Sequence, residues 1–176
     1  MRVRYRINQL WHAVTAAPSE DDLGKVNEVL SPQLMSLFRK MQASEQAHSL
    51  HIYNQLRDNG ETNADLMIAA LLHDVGKSRF PLRIWERGLI VMGNKIAPQQ
   101  AQRWGEGQPT GWKRAFVIAE KHAAWGADMV AEAGASPMTA RIIQRHQETL
   151  PIQKKQETTL LEDRLIQRLQ LLDNNS

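Results

Sequence analysis

Six side chains in this chain are of the types that bind metals and stand where a helix would bury them: His48, His73, Asp74, His122, His146 and Asp173. The chain contains no cysteine, so a metal could be held only by nitrogen and oxygen ligands, the set that suits iron, manganese or zinc. Residues 67–77 read MIAALLHDVGK, an apolar run that ends directly in a base and an acid. A carboxylate buried there needs a surface exit, a salt bridge or a bound cation to offset the several kcal/mol of hydration it loses. His48 shares a helical stripe with Ile52 and Leu56, with His51 nearly on the same side as the alternative. His146 follows Ile142 by one turn, and Asp173 continues the stripe of Leu165 and Leu169. His122 lies in AFVIAEKHAAWGADMV, ahead of an expected bend at Gly126. Each has a structural explanation taken singly: a core histidine bonded to a carbonyl, a solvated helix end, a frayed terminus. Five segments that each offer such a group together suggest a metal site in the interior of a bundle.

The elements that must position these groups all read as helices. Ile7, Leu10, Trp11 and Val14 repeat at helical spacing. SEDD at 19–22 is a cap with an acidic first turn, and Ser31-Pro32 and Ser136-Pro137 pair an N-cap serine with a proline at the first helical position. Gly60 ends the helix carrying His48, and Thr62 or Asn63 caps the next. WGEGQPTGW at 104–112 and LPIQKKQETT at 150–159 read as loops. No region alternates with a period of two, so the fold class is all-α.

The 176 residues, 42% of them hydrophobic, are enough for one well-cored domain. A net charge of +3 favours small anions over nucleic acid, for which the cations are too scattered. Asn8, Gln9 and His12 interrupt the stretch where a signal peptide needs its apolar run, and no run reaches the roughly 18–20 apolar residues of a membrane span. A cytoplasmic protein without a membrane partner is expected, and a homodimer is left open.

The order His, His-Asp, His, His, Asp resembles the HD superfamily of metal-dependent phosphohydrolases. AALLHDVGK is similar to that family's most recognisable string. KHAAWGADM and IIQRHQE look like its additional histidine segments, and LQLLDNNS like its closing motif. The resemblance covers residues 43 to about 174. It implies a single HD-type helical bundle over 43–176, with residues 1–42 as a helical extension packed on it. It also implies that His48, His73, Asp74 and Asp173 bind one ion, and that Asp74 bridges to a second held by His122 and His146. Two divalent ions are expected, iron or manganese before zinc, magnesium or cobalt. Gln147 follows His146 and no Gly-Tyr-Pro comes after it, which argues against the cyclic-dinucleotide branch carrying those signatures.

The activity implied is a phosphohydrolase or phosphodiesterase acting on a nucleotide or related small phosphate ester, with Asp74 and Lys77 as catalytic groups. The alternative is a catalytically silent metal-binding regulatory or interaction module of the same fold. Lys77 either meets a phosphate oxygen or serves as a cation at a helix C-terminus. Arg79, Arg83 and Arg87 recur every four residues and line an anion pocket or a solvated face; Arg145, beside His146, offers the same choice. Trp85, Trp104, Trp112 and Trp125 are read as core or interface, with at most one stacking on a base.

Overall fold

A computed structural model describes residues 17–148 and 161–173. The periodic stretch at 7–14 and the expected loop at 150–159 lie outside the described residues. Among those described there are nine α-helices, two short 3-10 turns and no strand. The helices are α1 (Glu20–Val29), α2 (Pro32–Lys40), α3 (Ala43–Asp58), α4 (Ala64–Leu72), α5 (Ile84–Ile96), α6 (Pro98–Trp104), α7 (Arg114–Glu132), α8 (Pro137–Arg145) and α9 (Leu161–Asp173). The protein is an all-α bundle.

Local chemistry sets the helix starts. The Asp22 N–H donates to the Ser19 hydroxyl at 3.2 Å, and Asp22 returns a carboxylate to the Ser19 N–H, closing a capping box on α1. Ser31 and Ser136 cap α2 and α8, each with proline at the first helical position. Asn63 accepts the Leu66 N–H at 3.0 Å and so starts α4. Gly60, with φ of +77°, closes α3 in the left-handed conformation that glycine adopts without a Cβ penalty. Asp65, in the first turn of α4, accepts hydrogen bonds from the hydroxyls of Ser136 and Thr139. That shared carboxylate aligns the starts of α4 and α8, whose far ends carry His73 and His146.

α4 is the centre of the bundle. Leu66, Met67, Ala69, Ala70, Leu71 and Leu72 are all buried, as an all-round apolar helix must be. α3 and α8 pack on it directly, and α1, α2 and α9 also touch it. One apolar core runs from Val26 in α1 through Phe38 in α2 to Leu169 in α9. A separate small core of Leu82, Ala115 and Ile118, with Leu89 and Ile90 against it, seats α5 on α7. α5 also exposes Ile84, Trp85, Val91, Met92 and Ile96.

Glycine at 126 was expected to bend the helix around His122. Instead α7 continues as α-helix from Arg114 to Glu132, and Gly126 provides clearance. A Cβ there would lie 3.2 Å from the Gly76 nitrogen, and one on Gly76 would lie 2.0 Å from the His122 carbonyl oxygen. The 3-10 turn Val75–Arg79 therefore rests directly on the backbone of α7.

Candidate metal centre

α4 ends at Leu72, with His73 at its C-cap still in helical conformation. Asp74 then turns to φ −94° and ψ 2° and leads into the 3-10 turn. Adjacent residues on a continuing helix point about 100° apart. This change of course at the helix end brings His73 Nε2 to 3.7 Å from Asp74 Oδ2. Gly76 allows the turn to approach α7 closely, which sets His122 Nε2 3.2 Å from Asp74 Oδ1. From α8, His146 places its ring 5.2 Å from that of His122 and 5.3 Å from that of His73. The end of α9 supplies Asp173, with Oδ1 2.8 Å from His48 Nε2 and 3.6 Å from His73 Nε2.

The structure thus brings all six side chains together from five helices. Potential ligand atoms of His48, His73 and Asp74 lie within 4.8 Å of one another, as do those of Asp74, His122 and His146. Asp74 is common to both sets. His73, Asp74, His122 and His146 are buried, while His48 and Asp173 are half-buried at the rim.

Backbone carbonyls fix the three buried imidazoles. Nδ1 of His73 faces the Ala70 oxygen at 3.0 Å, that of His146 the Ile143 oxygen at 2.7 Å, and that of His122 the Ala119 oxygen at 2.9 Å. A carbonyl only accepts, so Nδ1 carries the proton in each ring. In the neutral tautomer Nε2 then presents a lone pair to the cluster, the arrangement in which histidine binds metals. Nε2 of His73 and of His122 is buried without a hydrogen bond.

Electrostatics favour a cation at this point. Burial alone would raise Asp74, but Lys77 and His73, together with His122, hold it well below the ordinary carboxylate range. Asp173 is likewise lowered against its burial, by its hydrogen bond to His48 and by the adjacent His73. Burial opposes a charge on His73, yet Asp74 and Asp173 raise it. Burial and the neighbouring rings of His73 and His122 push His146 down to about 3, so it is neutral. The C-terminal ends of α4, α8 and α9 all meet here, adding the negative end of each helix dipole. Two carboxylates held low, imidazoles fixed through Nδ1 and two buried Nε2 atoms without hydrogen bonds are a donor set that fits divalent metal.

A family model for the HD domain matches residues 46–175, which includes all six of these side chains. The chain belongs to the HD domain family. Searches of curated proteins and of solved structures found no match. The HD domain here lines a cavity of about 220 Å3 with His48, Asp74, His122, His146 and Asp173, and His73 is fully buried beside them. No helix among the described residues is long and apolar enough to cross a membrane.

Lys77 lines that cavity, with Nζ 2.6 Å from Asp74 Oδ2. The other cations expected to bind substrate are elsewhere. Arg79 is exposed and its guanidinium lies over the Trp125 ring at 5.8 Å, by a different cavity. Arg83 is exposed at the N-cap of α5. Arg145 pairs with Glu148, Glu162 and Asp163, which hold it above its usual range. The reason is local: a 3-10 turn and an extended segment separate Arg79 from α5, so spacing by four does not set a common face. His51 is exposed and bonded to Gln55. None of Trp85, Trp104, Trp112 and Trp125 lines the cavity at the cluster or the larger one beside it.

Glu45, Arg87 and Gln147 also line the cavity. Glu45 is buried, accepts the Gln42 N–H at 3.3 Å and pairs with Arg87 Nη2 at 3.0 Å. Its burial raises it, as does Asp74, while Lys77 and Arg87 oppose the shift. A signal for Glu45 was present in its position one turn before His48. Arg87 carried a weaker one as the last of the three spaced arginines, and nothing in sequence linked it to Glu45.

Proposed function

We propose that this HD domain is a metal-dependent phosphohydrolase acting on a nucleotide or related small phosphate ester. The observation that carries the reading is the meeting of two three-residue ligand sets at Asp74. In this reading His48, His73, Asp74 and Asp173 hold one divalent ion and Asp74, His122 and His146 a second. Bound there, such ions supply Lewis-acid polarisation of a phosphoryl oxygen and lower the pKa of water.

The chain's own groups account for the positioning. Carbonyl contacts at Nδ1 fix the three buried imidazoles, so little reorganisation opposes ligation. The two oxygens of Asp74 face different partners, Oδ1 toward His122 and Oδ2 toward Lys77. In this reading the Asp74 carboxylate orients an attacking water. Lys77 and Arg87 line the cavity wall and offset the charge of the phosphate. Burial of the cluster limits bulk water and strengthens each of these interactions.

The test is hydrolysis of nucleoside monophosphates, sugar phosphates and phosphodiesters by the full chain loaded with manganese or iron. Asp74→Asn serves as the control. Phosphate release that disappears with chelator and with Asp74→Asn supports the reading. Metal binding with no turnover of any ester overturns it in favour of a silent metal-binding module.

A further inference from the structure

The cavity at the cluster adjoins a larger one of about 880 Å3, and the two share Glu45, Lys77, Arg87, His122 and Gln147. The larger chamber lies between α5, α6 and α7 and falls within the size range of small-molecule sites. Its charge distribution is polarised. Among the described residues its only cationic linings, Lys77 and Arg87, both lie in the stretch shared with the cluster. Beyond them the wall is apolar at Leu82, Ile90 and Phe116, and carries the side-chain amides of Asn94, Gln102 and Gln144. Glu120 also lines the chamber, as does Glu148, which is paired with Arg145.

Arg87 is braced at the junction. Its Nη2 donates to Gln42 Oε1 at 2.7 Å and to Glu45 Oε1 at 3.0 Å. Both bonds engage the same nitrogen, so the rest of the guanidinium fork remains to meet an anion. An anion belongs at this end. A second phosphate away from Lys77 and Arg87 would meet no cation and would lie against Glu120. An uncharged planar group with hydrogen-bond donors and acceptors matches the outer chamber, its faces on apolar side chains and its edge on amides and carboxylates.

We propose that the outer chamber is the base subsite of a nucleotide whose phosphate is held between Lys77 and Arg87. Asn94 and Gln102 act there as specificity-determining residues. This rests on the phosphohydrolase reading and narrows it to esters that carry a nucleobase. Both residues are exposed, so replacing them leaves the core intact.

The experiment measures dissociation constants by ligand-observed NMR for adenosine and guanosine 5′-monophosphate and for ribose 5-phosphate. It uses the full chain in chelator, where metal-dependent turnover does not interfere. At least one nucleotide should bind about tenfold or more tightly than the sugar phosphate. The Asn94→Leu/Gln102→Leu double variant should lose that difference, and Arg87→Ala should weaken nucleotide and sugar phosphate alike. Equal affinity for all three ligands, or a base preference that survives the double variant, overturns the proposal. A base preference in a protein that hydrolyses no ester keeps the subsite and removes the enzymatic reading. Ester hydrolysis without any base preference does the reverse.

Discussion

Lys77 has two readings, a cation ending a helix and a phosphate ligand, and its surroundings separate them. Its Nζ lies 2.6 Å from Asp74, with the side chain 22% exposed on a cavity wall. It sits in a 3-10 turn and not in the last turn of α4. Lys77→Met should lower kcat by about a hundredfold, as removal of one charge-stabilising donor does, with metal content unchanged. Steady-state kinetics and elemental analysis of the same preparation check this; a kcat within a few fold of the parent would return Lys77 to a structural role. At this scale the candidate ligands were legible as a set: each imidazole or carboxylate has an ordinary structural explanation alone, but five segments offering one each do not share it. The Glu45–Arg87 pair was not. It joins residues 42 positions apart, and only the packing of α5 beside α3 creates it.

The link between elements that matters most to the site is the seating of the turn Val75–Arg79 on α7. With a Gly76 Cβ 2.0 Å from the His122 carbonyl oxygen and 2.7 Å from the Gly126 nitrogen, no side chain is tolerated without separating the two. Gly76→Ala should destabilise the protein by about 1–3 kcal/mol or more and reduce metal affinity, because Asp74 and His122 move apart. Gly126→Ala meets its neighbours at 3.2–3.4 Å and should cost less. Urea unfolding and metal titration of both variants test that order. A second link ties α5 to α7: Glu86, buried, accepts Arg114 Nη1 at 2.6 and 2.7 Å. Burial would raise Glu86, but the Arg83 backbone N–H and Arg114 lower it overall. A depressed carboxyl contributes stability that is complete above the ordinary glutamate range and lost as pH falls through its folded value. Glu86→Gln should therefore cost about 1–3 kcal/mol at pH 7. The gap to the parent should close as pH drops below the glutamate range, read by thermal melts across pH. Caps and helices were legible because the chemistry of serine-proline starts and of a helix-ending glycine is local. The 3-10 turn was not, since it depends on α7 lying beneath it, and without it the three arginines looked like one face.

For the whole molecule, the bundle turns the C-terminal ends of α4, α8 and α9 toward one point and brings α3 and α7 alongside. The all-α class was legible from helical periodicity throughout. The convergence was not derivable from spacing, which assigns each residue a face but not what faces it; the ordered resemblance to HD domains supplied that link. Helices α1 and α2, ahead of the family match, share the main core through Val26, Leu34 and Phe38. The bundle thereby holds in place the five segments that carry the candidate ligands, and metal bound among them would add to stability. The most direct measurement is anomalous X-ray scattering at the iron and manganese edges from crystals grown with those metals and without chelator. Two peaks should flank Asp74, one among His48, His73 and Asp173 and the other beside His122 and His146. A lone peak, peaks away from these residues, or none after soaking would contradict a binuclear centre at Asp74.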